Sequence, residues 1–150
     1  MKKILFTLSL LLIFAMPSAA ADGLIHVQSR HGVKETGDRL IEILNTKGMT
    51  IFNRVHHSDA AAKVNVPLRE TELIIFGNPK IGSQLMLCPQ EVAIDMPLKA
   101  LIWKDETEKV WISYNDPRYL EKRHQITGCE TVLTKIEKAI AGMTRAAAGQ

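Results

Sequence analysis

The sequence lacks an excess of charge of either sign. Its 150 residues include 19 basic and 16 acidic side chains, a formal net charge of +3. Without Lys2 and Lys3, which open the chain, 17 basic residues face 16 acidic ones. Proteins that bind nucleic acid present a strongly basic surface. The composition therefore argues against nucleic acid as a partner.

The sequence also lacks the short motifs that identify common catalytic sites. It contains no nucleophile elbow, no phosphate-binding loop, no His-Glu-x-x-His and no Cys-x-x-Cys. Only two cysteines are present, Cys88 and Cys129. This even number permits one disulfide in an oxidising compartment, and two buried free thiols are the alternative. We expect no cofactor and no metal site.

The first 21 residues predict a secretory signal peptide. Lys2 and Lys3 precede an apolar run of 13 residues over 4–16, and small residues over 18–21 lead to a cleavage point. The run is short for a bilayer span, so an uncleaved membrane anchor is the less favoured alternative. We expect a periplasmic protein without membrane contact after cleavage. A single domain would occupy 22–145, with a frayed tail over 146–150.

The pattern beyond residue 22 predicts an α+β domain. Runs typical of strands cover 24–29, 50–55, 72–76, 99–104 and 110–114, and helical spacing marks 33–44 and a last helix capped by Thr127. Short extra helices are predicted after Ser58, Pro79, Pro89 and Asp116. Strands that follow one another through hairpins favour an antiparallel sheet with helices on one face.

Three polar clusters lie between apolar runs in the segment from Thr71 to His124. They are Phe-Gly-Asn-Pro at 76–79, Ile-Asp-Met-Pro-Leu-Lys at 94–99 and Tyr-Asn-Asp-Pro at 114–117. In this order they resemble the Domain of Unknown Function 302 family, over about residues 23–141 of this chain. The resemblance implies a β-α-β4-α fold similar to that of the TATA-binding protein, usually as a homodimer. It implies no reaction and no DNA function.

The clusters supply most of the candidate site residues. The resemblance favours His57, which lies where the family tends to carry a histidine, and the pair Arg123 and His124. Asp95 lies between apolar residues, and because an unpaired buried carboxylate is costly, we expect Lys99 or Arg123 beside it. The ligand-binding candidates are His57, Asn78, Asp95, Lys99, Tyr114, Arg123 and His124.

These residues leave several functions open. The favoured interpretation is a periplasmic binding or accessory module for a small molecule or a protein partner. An alternative is a small enzyme in which His57 or His124 acts as general base beside Asp95. A third is a copper or redox accessory protein that uses Cys88 and a histidine. The mutual distances of these side chains separate the three, because catalysis and metal binding both require convergence at one place.

Overall fold

Five strands form one antiparallel sheet in a computed structural model that describes residues 23–150. The strands, in the order β1-β5-β4-β3-β2, are β1 (Leu24–Ser29), β2 (Thr50–His56), β3 (Thr71–Gly77), β4 (Leu98–Lys104) and β5 (Val110–Asn115). The helices are α1 (Val33–Thr46), α2 (His57–Ala62), α3 (Pro79–Met86), a 3-10 helix (Gln90–Asp95), α4 (Pro117–Arg123) and α5 (Glu130–Ala147). None of these helices is long and apolar enough to cross a membrane. The predicted signal peptide lies outside the described residues.

One face of the sheet carries the main core. Side chains alternate along each strand, so every second residue faces the same way. The helix-facing set is fully buried and comprises Ile74, Phe76, Ala100, Ile102 and Ile112. Helices α1 and α5 cover this set and pack on each other. The predicted α+β class, with an antiparallel sheet and helices on one face, is confirmed.

A second apolar cluster joins α3, the 3-10 helix and α5. Leu85, Val92 and Leu133 are its most buried members. Cys88 and Cys129 lie at its border at disulfide-bonding distance, with their Cα atoms 6.4 Å apart. The geometry fits the predicted disulfide, which would close the loop containing the 3-10 helix, β4, β5 and α4.

Most predicted helix ends are present, with two differences. The side chain of Asn78 accepts hydrogen bonds from the N–H groups of Lys80 and Ile81, as a cap should. Ser58 does not cap α2, which begins one residue earlier; its hydroxyl instead bonds the backbone of Thr71. Helix α5 begins at Glu130 without a cap from Thr127.

The C-terminal residues differ from the frayed tail predicted over 146–150. Helix α5 continues to Ala147, and Ala147 and Ala148 are fully buried. The N–H of Arg30 donates to the carbonyl of Ala148 at 3.0 Å, and the Gln150 amide donates to the carbonyl of Gln28 at 2.7 Å. Small alanine side chains allow this close approach to the end of β1, which the local composition did not indicate.

Strand β2 contains a β-bulge at Phe52. Ile51 pairs with Phe76 and Asn53 pairs with Ile75, so Phe52 is an extra residue in the register. A bulge shifts the alternation of side chains beyond it. Residues 54 and 56 therefore share the helix-facing side with Ile51.

Candidate functional site

Four of the seven predicted polar residues meet at the junction of the 3-10 helix and α4. Nε2 of His124 lies 2.6 Å from Oδ2 of Asp95, and Nε of Arg123 lies 3.6 Å from the same oxygen. Nζ of Lys99 donates to the backbone carbonyl oxygens of Asp95 and Pro97, each at 3.0 Å. Of the two cations expected beside Asp95, Arg123 lies near the carboxylate and Lys99 bonds only backbone oxygens, while the shortest contact of the carboxylate is with His124.

The geometry of this junction is that of a structural contact between two segments of the chain. The side chains of His124 and Asp95 are only 7% and 14% exposed, and neither lines any of the cavities described below. Lys99 uses its ammonium to satisfy carbonyl groups of the same loop. The cluster joins the end of the 3-10 helix to the end of α4, and it presents little surface to a ligand.

The other three predicted residues lie elsewhere. His57 is the exposed first residue of α2. Asn78 caps α3 and lines two apolar cavities, both of which also include Met96. Tyr114 is 3% exposed in the main core, where burial raises the pKa of its phenol. The seven candidates therefore do not form one site.

A different charged cluster lies beneath helix α1. Glu72 of β3 occupies a helix-facing position, two residues before Ile74, and its side chain is 4% exposed. Arg54 binds it with two parallel hydrogen bonds, Nε to Oε2 at 3.0 Å and Nη2 to Oε1 at 2.9 Å. The remaining Arg54 nitrogen donates to Asp38 of α1 at 2.6 Å. Such bidentate pairs fix geometry as well as charge.

Helix α1 accommodates this pair by carrying a glycine. A Cβ atom at position 37 would overlap Oε1 of Glu72 and come within 2.7 Å of Nη2 of Arg54. Glycine inside a helix costs about 0.5–1 kcal/mol relative to alanine. The chain thus bears both a buried carboxylate and a helical glycine at the same place.

The electrostatics of the pair reflect burial and contact together. Burial raises the pKa of Glu72, and the hydrogen bonds and charge of Arg54 oppose that shift. Burial acts to lower the pKa of Arg54, but its bonds to Asp38 and Glu72 outweigh this and raise that pKa. The bidentate contact and the second carboxylate on Arg54 favour a charged pair at neutral pH, at some cost to the fold.

His56 extends this pair into an open cleft. Its Nδ1 lies 3.3 Å from Oε2 of Glu72, while the side chain is 48% exposed. The carboxylate lies beside Nδ1, and within residues 23–150 no hydrogen bond engages Nε2. The cleft has a volume of about 370 Å³. Its polar lining consists of Lys34, Arg54, His56, Ser58, Asp59, Glu70, Thr71 and Glu72.

A metal centre is not apparent within residues 23–150. No three His, Cys, Asp or Glu side chains of this range converge as ligands. The sulfur atoms of Cys88 and Cys129 lie against each other, so neither is placed as a separate thiolate ligand.

The family model for the domain of unknown function DUF302 matches residues 25–143 of this chain. The chain belongs to the DUF302 family. A crystal structure of an uncharacterized conserved DUF302 protein from Bacillus stearothermophilus has the same fold, with a TM-score of 0.75 and 18% sequence identity. The similarity covers 83% of this chain and 97% of that one. The resemblance predicted from the three polar clusters is confirmed, and the DUF302 fold with it.

Curated relatives of this DUF302 chain occur in Brucella. A fluoride-specific ion channel, FluC 1, of Brucella suis biovar 1 (strain 1330) is 40% identical over 135 residues, which cover 89% of this chain and 53% of the relative. FluC 1 of Brucella abortus and FluC 2 of Brucella melitensis show the same identity, with 50% of each relative covered. The chain thus spans about half the length of these relatives.

The cleft residues of this DUF302 chain were missed by sequence reasoning, although two signals point to them. Glu72 is the one charged residue at a helix-facing position of an otherwise apolar β3, and Gly37 interrupts a helical pattern. Each has a common local explanation when considered alone. The resemblance favours His57, whereas the histidine that lines this cleft is its neighbour His56.

Proposed function

We propose that this protein is an exported binding module that holds a small polar ligand in the cleft beside Glu72. One observation carries the proposal: a half-exposed imidazole, His56, lies against a buried carboxylate at the wall of that cleft. Buried, charge-paired groups that border a cleft are typical of functional sites. A structural ion pair needs no histidine facing solvent.

The charges of the cleft favour a ligand that donates hydrogen bonds. The two cations of the lining, Lys34 and Arg54, already bond Asp38 at 2.7 and 2.6 Å. Within residues 23–150 no hydrogen bond engages Nε2 of His56, and no ion pair of that range engages the carboxylate of Asp59. A small primary amine or a polyhydroxyl compound matches this set.

Export and self-association are part of the same proposal. The charged start and apolar run of the first 21 residues support a periplasmic location. The sheet face opposite α1 and α5 presents partly exposed Leu73, Leu101 and Trp103, which supports a homodimer. A dimer through this face would leave the cleft open, since the cleft lies on the helix-covered side.

Native mass spectrometry of the protein purified from its own periplasm tests the proposal. We expect a retained small molecule on the wild type and its loss in His56→Ala. His57→Ala is the matched control, because it removes the neighbouring imidazole without touching Glu72. Equal retention in both variants, or loss only in His57→Ala, would contradict the assignment of the cleft.

A second candidate function is an accessory role beside a membrane ion channel. Its support is that proteins named as fluoride-specific ion channels contain a segment 40% identical to this chain, within about twice its length. The test is growth on fluoride of a strain lacking only this protein. Poor growth of that strain on fluoride, reversed when the wild-type chain is supplied, favours the accessory role. Unchanged growth argues against it.

A further inference from the structure

We infer that a second site, separate from the His56 cleft, binds a single-chain anionic amphiphile such as a medium-chain carboxylate. The site is an apolar groove formed by three adjoining cavities along α3 and α5, with volumes of about 300, 150 and 580 Å³. The first two share Gly77, Asn78, Gly82 and Met96. The last two share Met49, Ala139 and Met143.

The walls of this groove favour a flexible alkyl chain. Four methionines line it, and their unbranched side chains adapt to apolar ligands of varied shape. These are Met49, Met86, Met96 and Met143. Phe52, which the bulge places at one end, is 52% exposed. Exposed apolar surface that is continuous with a concave apolar wall is typical of ligand-binding grooves.

The rim of the groove determines the charge of the ligand. Lys47, Lys135 and Lys138 border the two cavities next to α5. Within residues 23–150, no aspartate or glutamate lines any of the three cavities, and no carboxylate pairs with these lysines. Lysine stems can lie along apolar surface while their ammonium groups reach a headgroup. An apolar chain with an anionic end therefore matches both the walls and the rim.

Methyl NMR of methionine-labelled protein tests this site directly. Dodecanoate, added below its micelle concentration, is expected to shift the methyl signals of Met49, Met96 and Met143. Dodecanol and dodecyltrimethylammonium have the same chain length with a neutral or a cationic end. We expect dodecanol to bind about tenfold more weakly, because it loses the charge-assisted contact, and the cation to bind least.

Two variants identify the groove as the place of binding. The triple change Lys47→Gln, Lys135→Gln and Lys138→Gln should weaken dodecanoate binding about tenfold or more, whereas Lys122→Gln on α4 should not change it. Ala139→Phe fills the wall shared by two cavities and should abolish the methyl shifts.

Three outcomes would overturn the inference. One is the absence of any shift with dodecanoate. Another is equal binding of the three amphiphiles, which would indicate nonspecific apolar adsorption. The last is binding to vesicles of an anionic phospholipid without binding of monomeric dodecanoate, which would assign the lysine rim to a membrane surface.

Discussion

His56 and His124 each lie against a carboxylate, but burial is arranged differently in the two pairs. His124 and Asp95 are 7% and 14% exposed, so both members are enclosed. In the other pair Glu72 is 4% exposed and His56 is 48% exposed, so the acid is buried and the imidazole faces a cleft.

The difference separates a structural pair from a candidate site. An enclosed imidazole has no free surface for a ligand, and its contact joins two segments of the chain. An exposed imidazole with a buried acid beside one nitrogen keeps its other nitrogen available to a ligand. Sequence alone ranks the two pairs in the reverse order, since it selects Asp95 and His124 as candidates and neither His56 nor Glu72.

The largest expected effect comes from removing the disulfide that closes the loop around the enclosed pair. Cys88→Ala with Cys129→Ala would open a loop whose ends are 41 residues apart and that contains both Asp95 and His124. The chain-entropy model gives a loss of about 4 kcal/mol in the free energy of unfolding, measured by urea denaturation. Hydrogen exchange should increase around α4 and remain low in β2 and β3.

The presence of the bond is checked separately by intact mass after alkylation of the unreduced, denatured protein. Addition of two alkyl groups would show free thiols and remove the basis of this prediction.

The next effect concerns the pair beneath α1. Gly37→Ala places a methyl group against Oε1 of Glu72 and should displace the carboxylate from Arg54. We expect a loss of about 3 kcal/mol in the free energy of unfolding, as for the breaking of a buried ion pair. Gly142→Ala is the matched control, because α5 leaves open space at that glycine. It should stabilise the protein by about 0.5–1 kcal/mol. Equal effects of the two changes would mean that Glu72 is not held where the structure has it.

One substitution in each pair tests the comparison directly. Asp95→Asn removes the charge that His124 contacts and should lower the free energy of unfolding by about 2 kcal/mol without changing ligand retention. His56→Ala should change stability by less than about 0.5 kcal/mol while abolishing retention. Urea denaturation and native mass spectrometry measure the two quantities on the same samples. Ligand loss in Asp95→Asn with an unchanged midpoint would restore the enclosed pair as the site.

The smallest expected effect is a pH dependence of the free energy of unfolding that arises from a third carboxylate, Asp105. Hydrogen bonds to Asp105, with that from Trp111 Nε1 as the largest cause, lower its pKa from 3.8 to about 2. A lowered folded-state pKa gives stability that is complete above the unfolded value, so this contribution disappears as pH falls from 3.8 to about 2.

The pKa shift of Glu72 changes stability with pH in the opposite direction. Burial raises its pKa above the ordinary 4.5, so the protein loses stability as pH rises through that raised value. Asp105→Asn should therefore flatten the acid side of a stability profile, measured by urea denaturation from pH 2 upward, and leave the decline above 4.5 unchanged. A variant that retains the full acid-side loss would contradict the role of Asp105.

Local chemistry explains what the sequence predicted well. The five strands follow apolar runs, and Asn78 and Asp116 cap helices that begin with proline. The pairing of Asp95 followed from a general cost, that of an isolated carboxylate among apolar residues. These inferences need only neighbours in sequence or a single physical requirement.

Long-range geometry explains what the sequence did not show. The cleft depends on three elements: α1 contributes Gly37 and Asp38, β2 contributes Arg54 and His56, and β3 contributes Glu72. No pattern of spacing states that these elements meet. The burial of Ala147 and Ala148 likewise depends on how α5 approaches β1, and an alanine-rich end of a chain carries no such signal.

The bulge at Phe52 decides which face of the sheet the second half of β2 presents. In a strand of the same length without a bulge, strict alternation from Ile51 would turn Asn53 and Val55 toward the helices. Arg54 and His56 would then face the opposite layer, and Glu72 would remain beneath α1 without a cation. Deletion of Phe52 would not have this effect, because Ile51, Arg54 and His56 would keep their partners Phe76, Ile74 and Glu72. A DUF302 chain with the same cleft residues therefore needs either this bulge or one residue fewer between the positions of Ile51 and Arg54.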